Sequence, residues 1–201
     1  MKAIISKCAC LVLALMVVLL CAGCSNNEEP QAPALTADAV LSESNYRLGD
    51  TMGDYTVTDI NGVSYKFSDI LKDKKAIVLN FWFINCGPCR IEFPYMNEAY
   101  ESFKEDIEIL AINPVGDSEA DIKAFAEENS LSFPVVTGDT AWNTAMNIQG
   151  YPTTVVIDRT GVVSMKHTGY IDSTETFKDI FEFFTKDGYT HTIVNNLSDI
   201  K

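Results

Sequence analysis

The sequence is poor in cations and in histidine. Its 201 residues include 15 Lys and Arg against 28 Asp and Glu, which gives a net charge of −13, and two histidines. An acidic surface repels nucleic acid and anionic lipid headgroups, so we expect no nucleic acid as a partner. A closed zinc site needs four ligands. Histidine can offer only His167 and His191, both far along the chain, which disfavours such a site.

Cysteine is also scarce in the part of the chain that is expected to fold. Four of the six cysteines lie within the first 24 residues, namely Cys8, Cys10, Cys21 and Cys24. Cys86 and Cys89 remain, in the stretch NCGPCR. The chain has no internal repeat, and its length favours one domain with short appendages.

The N-terminus carries the one long apolar run, residues 9–20, after Lys2 and Lys7 and before the small residues Ala22 and Gly23. This order is typical of an export signal. A retained membrane anchor is the alternative, although a spanning helix needs roughly 20 apolar residues. We therefore expect a signal peptide over residues 1–23.

The end of this signal, LCAGC, resembles a bacterial lipoprotein box, in which the cysteine after the cleavage point carries the lipid. Cys24 would then be acylated and hold the protein to a cell membrane, on its extracytoplasmic side. Cys21 departs from the box because Leu is usual there, and a secreted or uncleaved protein is the alternative. Removal of residues 1–23 takes two lysines and no acid, which makes the net charge −15.

The remaining chain divides into a linker, a domain and a tail. Residues 24–45 have no sustained apolar period and suit a flexible spacer. Asn61-Gly62 between two short apolar segments predicts a β-hairpin. Alternating strands and helices follow, so we expect an α/β domain over 46–187 with a mixed central sheet and an N-terminal hairpin. Residues 188–201 form a tail whose structure the pattern does not predict.

Three interpretations of the cysteine pair stay open from the residues alone. A stabilising disulfide gains little here, because a bridge across two residues closes a very short loop. A zinc or copper site would need further ligands, with Met96 as one candidate. Redox chemistry suits the placement, since residues 76–84 predict a buried strand and 87–104 a helix interrupted by Pro94. At a helix start Cys86 would be favoured as a thiolate nucleophile, with Cys89 one turn further in.

Two segments together, LNFWFINCGPCRIEFP and GYPTTVVIDRTGVV, resemble the thioredoxin superfamily. Within it they are similar to the TlpA/ResA-like thiol-disulfide oxidoreductases, relatives of the AhpC/TSA redoxins. The resemblance spans residues 46–185 and implies a thioredoxin-like three-layer α/β/α sandwich. It also implies that Cys86 attacks, that Cys89 resolves, that the two form a redox-active disulfide, and that Pro152 is cis beside it.

The resemblance also bears on two polar positions before and after the cysteines. Asn80 stands where thioredoxin has a buried acid, and Glu92 matches an acid of the ResA-like branch. Glu92 is therefore the candidate proton carrier for Cys89, with a pKa raised by burial. The alternative is that Glu92 is a first-turn acid that complements the helix dipole.

Substrate contacts are expected from the residues that surround the pair, namely Asn85, Gly87, Pro88, Tyr151 and Thr153. Asn85 departs from the family, which usually has Trp there, so the partner preference does not carry over. We expect Tyr151 to be exposed and able to take part in docking, and the alternative is that it only packs against the cysteine loop.

The function that follows is a membrane-anchored, extracytoplasmic protein-disulfide reductase with no bound cofactor and no metal. By the resemblance its electrons come from a membrane thiol donor, and apocytochrome c is one exported substrate. The alternatives are a thiol peroxidase of the AhpC/TSA type and a copper-binding metallochaperone lipoprotein. No Pro-x-x-x-Thr precedes Cys86, which disfavours the peroxidase.

Overall fold

The computed structural model describes residue 41 and residues 44–200. The predicted signal peptide, the lipidation site Cys24 and most of the linker lie outside these residues. Among the helices of the described part, none combines the length and the apolar character needed to cross a membrane.

The predicted hairpin is confirmed, and a helix follows it directly. Strands β1 and β2 pair antiparallel around the Asn61-Gly62 turn, where Gly62 has a φ of +82°. Helix α1 then extends over seven residues, which is longer than the single turn that the sequence predicts. These three elements are β1 (Thr56–Thr58), β2 (Ser64–Lys66) and α1 (Phe67–Asp73).

The domain is built on a mixed five-stranded sheet, as the sequence predicts. Its order is β5-β4-β3-β6-β7, in which β3, β4 and β5 run parallel and β6 and β7 are antiparallel to their neighbours. The strands are β3 (Ala76–Phe81), β4 (Ile107–Asn113), β5 (Val135–Thr137), β6 (Thr153–Asp158) and β7 (Val163–Thr168). The helices are α2 (Gly87–Phe103), α3 (Glu119–Glu128), α4 (Ala141–Ala145) and α5 (Thr174–Thr185).

Strand β3 lies at the centre and all six of its residues are buried. Because side chains alternate across a strand, Ala76 and Val78 join the core that contains α2, α3 and α5 residues, whereas Ile77 and Leu79 face the opposite core. The opposite core is closed by the hairpin, α1 and α4. The predicted α/β/α sandwich is therefore confirmed.

Two boundaries differ from those that the sequence pattern predicts, and in both places a polar side chain binds the backbone. Strand β3 ends at Phe81 rather than near residue 84, and the amide of Ile84 donates to Asp117 Oδ2 at 2.8 Å. The pattern predicts helix α4 through residue 148, but the helix ends at Ala145, and Lys166 Nζ donates to the Met146 and Asn147 carbonyls at 2.6 Å. Hydrophobic periodicity contains neither contact.

The C-terminal segment, predicted as a tail, packs on the domain through residue 200. The Val194 amide donates to the Ser164 carbonyl at 2.8 Å, beside the edge strand β7. Tyr189 Oη donates to Asp158 Oδ2 at 3.0 Å, and His191 Nδ1 lies 2.7 Å from the same oxygen. This segment therefore covers an edge that would otherwise expose unpaired backbone groups.

Asp158 gives a test of how strongly this segment is held. Its buried carboxylate also accepts bonds from Thr160 and Ser164, and this network lowers its pKa from 3.8 to about 2 although burial alone would raise it. Since the folded pKa lies below the unfolded one, the stabilisation is present above pH 4 and is lost as pH falls towards 2. We expect Asp158→Asn to lower the free energy of unfolding at pH 7 by roughly 2 to 3 kcal/mol.

Urea unfolding at pH 7 and at pH 2 to 4 measures this effect. The exposed Asp187→Asn is the matched control, and surface changes of this kind stay within about 0.5 kcal/mol. Equal stability of Asp158→Asn and the control at pH 7 would contradict the prediction.

Candidate active site

The loop between β3 and α2 is fixed by backbone contacts before it reaches the cysteines. The Trp82 amide donates to the Ile112 carbonyl at 3.1 Å, which continues the pairing with β4 beyond the strand. Asp117 Oδ2 then accepts from the Ile84 amide, at 2.8 Å, and from Asn113 Nδ2, at 2.9 Å. These hydrogen bonds therefore fix the backbone between the carboxyl end of β3 and Cys86.

Cys86 lies at the start of α2 and is bonded to Cys89. The two form a disulfide, and the Cys89 amide donates to Cys86 Sγ at 3.2 Å. Cys86 caps the helix, and Pro88 in its first turn has no amide hydrogen to leave unpaired. An N–H aimed at the sulfur favours the thiolate after reduction, so the geometry suits Cys86 as the attacking cysteine.

Accessibility distinguishes the two sulfurs and their neighbours. Cys86 is 4% exposed and Cys89 is 0% exposed, so a partner can reach Cys86 first. Asn85, Gly87 and Pro88 are exposed around it. These three predicted substrate contacts therefore lie on the surface that a partner protein would meet.

The distant proline segment reaches the same end of the sheet. The Tyr151–Pro152 peptide bond is cis, as the resemblance implies. Thr153 pairs with Phe81 in the antiparallel register of β6 and β3, so Pro152 lies beyond the end of β3 from which Cys86 follows. The topology therefore brings the cysteine pair and the Pro152 segment to the same end of the sheet.

Two of the predicted contacts in this segment are less accessible than expected. The Tyr151 ring is half-buried rather than exposed, packs edge-on against Phe83 at 5.4 Å between centroids, and donates through Oη to Asn143 at 2.7 Å. Thr153 is fully buried, and its hydroxyl donates to the Gly150 carbonyl at 2.8 Å. Their side chains serve the packing of the loop.

Glu92 is fully buried on the same helix, three residues after Cys89. It lies beyond the first turn, which has no acidic residue, so the dipole explanation does not apply. Its Oε1 accepts from Asn80 Nδ2 at 2.8 Å and its Oε2 from the Ile171 amide at 2.7 Å. Burial raises the pKa of Glu92 from 4.5 to about 7, against these two bonds that lower it.

Ile171 and the pair Asn113 and Asp117 are functional-site residues that the sequence does not reveal. Ile171 contributes a backbone amide, which any residue would supply. Asn113 is the last residue of β4 and Asp117 lies in the loop after it, and nothing in their spacing relates them to Cys86. Polar residues at and after the end of a buried strand were the one available signal.

Comparison with known proteins assigns the family. The sequence model of the AhpC/TSA family matches residues 48–166, which is more than half of the chain. The chain belongs to this family. The resemblance to TlpA/ResA-like proteins of the thioredoxin superfamily is therefore confirmed.

Two bacterial relatives, a thiol-disulfide oxidoreductase and a thioredoxin-like protein, show this similarity. The chain is 41% identical over 125 residues to the thiol-disulfide oxidoreductase ResA of Geobacillus kaustophilus, covering 61% of this chain and 70% of the relative. It is 31% identical over 129 residues to the thioredoxin-like protein YneN of Bacillus subtilis, covering 63% and 75%.

Solved structures agree with this placement. One is described as a putative thiol:disulfide interchange protein DsbE from Chlorobium tepidum. It is 30% identical to this chain, with a TM-score of 0.54, and the match covers 63% of this chain and 89% of that one. A second interchange protein from the same species is 24% identical with a TM-score of 0.59 over 69% and 98%, and supports the fold alone. The relatives and the Cys86–Cys89 disulfide together make the chain a thiol-disulfide oxidoreductase, as predicted.

The buried acid has a measurable effect on stability. Because the folded pKa of Glu92 lies above the ordinary value, the unfolded chain releases this proton first and stability falls as pH rises from 4.5 to about 7. Glu92→Gln removes this penalty. We expect the variant to gain roughly 3 kcal/mol relative to the parent chain between pH 4 and pH 8.

Urea unfolding of the oxidised protein across this pH range measures the gain. Glu98→Gln, at an exposed position of the same helix, is the control and follows the parent chain. Parallel curves for Glu92→Gln and the parent chain would rule out a buried carboxyl that titrates near neutral pH.

Proposed function

We propose that the protein is held at the extracytoplasmic side of a cell membrane and reduces disulfides of exported proteins. The observation that carries this proposal is the arrangement of α2, with the accessible Cys86 at its start and the enclosed Cys89 and Glu92 behind it. An attacking sulfur, a resolving sulfur and a proton acceptor follow one another from the surface inwards.

The first step of the proposed reaction uses Cys86 in the reduced protein. Its thiolate attacks one sulfur of the substrate disulfide, and the bond between the two substrate sulfurs breaks. One substrate sulfur leaves as a thiolate, and the other is held to Cys86 as a mixed disulfide. The helix start and the Cys89 amide favour the thiolate from which this step begins.

The second step uses Cys89 and Glu92. Cys89 loses its proton to the Glu92 carboxylate and attacks Cys86 Sγ, which releases the second substrate sulfur as a thiolate. The substrate has then gained two electrons, and the protein holds the Cys86–Cys89 disulfide that the structure shows. A carboxyl with a pKa of about 7 can both accept and return a proton at neutral pH.

Regeneration needs a dithiol donor, which we propose to be a membrane thiol-disulfide protein. A donor thiolate attacks the Cys86–Cys89 disulfide, the Cys89 sulfur leaves, and Glu92 returns its proton to that sulfur. The second donor thiol then releases Cys86, and the donor is left as a disulfide. Two electrons therefore pass from the donor to the substrate in each cycle.

The surface around the pair supports a protein as the substrate. Four large apolar side chains of the described residues are exposed, and three of them belong to segments at this end of the sheet. Ile91 lies in the second turn of α2, Val115 follows β4 and Tyr170 follows β7. Exposed apolar residues beside a reactive group suit contact with polypeptide. Apocytochrome c, whose cysteines must be reduced before haem attachment, is the substrate that the resemblance suggests.

The exchange activity has a direct test. The purified protein is assayed for thiol-dependent reduction of insulin, alongside Cys86→Ser and Cys89→Ser. We expect both variants to lose turnover, and Cys89→Ser to accumulate a mixed disulfide through Cys86 because nothing resolves it. We also expect a reduction potential nearer the thioredoxin value of about −270 mV than the value of about −120 mV typical of strong oxidants.

Two outcomes would replace this function with one of the alternatives. Rapid peroxide consumption that survives Cys89→Ser would indicate a peroxidase, which needs one cysteine for the first chemical step. Copper retained stoichiometrically without disulfide exchange would indicate a metallochaperone. In the described part of the chain no three His, Cys, Asp or Glu side chains are grouped to hold a metal ion.

The membrane anchor is tested separately at Cys24. We expect Cys24→Ser to move the protein from the membrane fraction of cells to the soluble fraction, because acyl chains supply the anchoring free energy. Cys21→Ser, three residues earlier, is the matched control and leaves the protein in the membrane fraction. Membrane retention of Cys24→Ser would contradict lipidation at that residue.

A further inference from the structure

Asn80 has an unusual hydrogen-bond pattern for a fully buried amide. It is the second-last residue of β3 and has no exposure. Its Nδ2 donates to Glu92 Oε1 at 2.8 Å and to Thr154 Oγ1 at 3.2 Å. Its Oδ1 is buried and has no hydrogen-bond partner in the described part of the chain. All the bonding of this side chain is therefore at one end.

The chemistry of Glu92 explains that orientation. A carboxylate can only accept hydrogen bonds, so an ionised Glu92 requires the amide nitrogen of Asn80 to face it. A protonated Glu92 carries an O–H and needs an acceptor at the same place. With the nitrogen still facing it, two donors would meet, and a buried unpaired donor costs about 1 to 3 kcal/mol.

A half-turn of the amide resolves this conflict without moving the backbone. It brings Oδ1 to the position of Nδ2, where it accepts from the Glu92 O–H. The Thr154 hydroxyl, which now accepts, can rotate and donate to the same oxygen. After the half-turn Oδ1 accepts two hydrogen bonds and the Nδ2 hydrogens are unpaired, so a contact between two donors is exchanged for two bonds and one unpaired NH2 group. The orientation that the structure shows matches the ionised acid, and the Asn80 bond accordingly lowers the pKa of Glu92.

We propose that Asn80 is a positioning residue that turns its amide with the protonation of Glu92, so that Glu92 keeps a hydrogen-bond partner both as base and as acid. This inference rests on the proposed role of Glu92 as proton carrier for Cys89. Asn80 donates a hydrogen bond to the Glu92 carboxylate before the resolving step. It accepts a hydrogen bond from the Glu92 carboxylic acid after that step.

The other groups around Glu92 cannot both donate to its carboxylate and accept from its acid form. The Ile171 amide is a donor in every state, and Thr154 reaches Glu92 only through Asn80. Cys89 is in the disulfide and does not titrate in the oxidised protein. His167 of β7 pairs with Thr154 in the strand register and is half-buried, and burial lowers its pKa. The charged residues on the adjoining segments, Arg90, Glu98 and Asp172, are exposed. None of them contributes to the shifted pKa of Glu92, whose causes are burial, Ile171 and Asn80.

The side-chain amide signals of Asn80 report its orientation. The test uses the full chain in detergent, labelled with nitrogen-15 and carbon-13, oxidised and titrated from pH 5 to pH 9. We expect the Asn80 signals to shift with the same midpoint as the Glu92 carboxyl carbon. The buried amide of Asn113, which faces Asp117 instead, is the internal control and does not follow that midpoint.

Two variants sharpen the result. Gln at position 92 presents an amide nitrogen to Asn80 while its oxygen faces Ile171, so Glu92→Gln mimics the protonated acid. We expect its Asn80 signals to lie at the low-pH positions of the parent chain at every pH. Asn80→Leu keeps the shape but makes no bond, and we expect it to raise the midpoint of Glu92 by about one pKa unit.

Asn80 signals that stay fixed while Glu92 titrates would overturn the inference, as would Glu92→Gln signals at the high-pH positions. Neither result depends on whether Asn80→Leu folds. Insulin reduction by the same samples separates the inference from the proposed function. If the Asn80 signals stay fixed while insulin reduction is normal and depends on Cys86, only the inference about Asn80 is wrong. If the parent chain does not reduce insulin, the proposed function itself is wrong.

Discussion

The carboxylate of Glu92 joins three distant parts of the chain at one buried point. Helix α2 supplies the acid, β3 supplies Asn80, and the loop after β7 supplies the Ile171 amide. A buried carboxyl must find such donors, because burial without them costs several kcal/mol. The position of α2 over the sheet, and with it the position of Cys86, therefore depends on these contacts as well as on apolar packing.

The number of donors determines what each buried acid of this domain does. Asp158 and Glu92 are both fully buried. Thr160, Ser164, Tyr189 and His191 all serve Asp158, and its pKa falls to about 2. Glu92 has two donors, and its pKa rises to about 7. The first acid is permanently ionised and structural, whereas the second is poised to exchange a proton.

The sequence predicted those parts of the fold that local patterns determine. The continuous apolar run of β3, the helical spacing of Phe93 and Met96, and the Asn61-Gly62 turn each report a neighbourhood that nearby residues create. The C-terminal segment gave no such pattern, because Tyr189 and Val194 are placed by contacts with β6 and β7. Likewise, Cys86 and Cys89 were predicted from their spacing and position, and Glu92 from the family resemblance, but the donor at Ile171 is a backbone group and leaves no mark in the sequence.

The same distinction explains why chemistry is easier to predict here than partner choice. Attack and resolution need two sulfurs, a helix start and an enclosed acid, and all of these follow from residues between 80 and 92. Recognition of a partner depends instead on the surface around the exposed Asn85, where Tyr151 is turned inwards onto Phe83 and Asn143. Ile91 and Tyr170 are two of the exposed large apolar side chains of the described residues, and they are the chain neighbours of Glu92 and Ile171. Because Glu92 Oε2 accepts from the Ile171 amide, the buried acid holds the segments that carry these two exposed side chains next to each other.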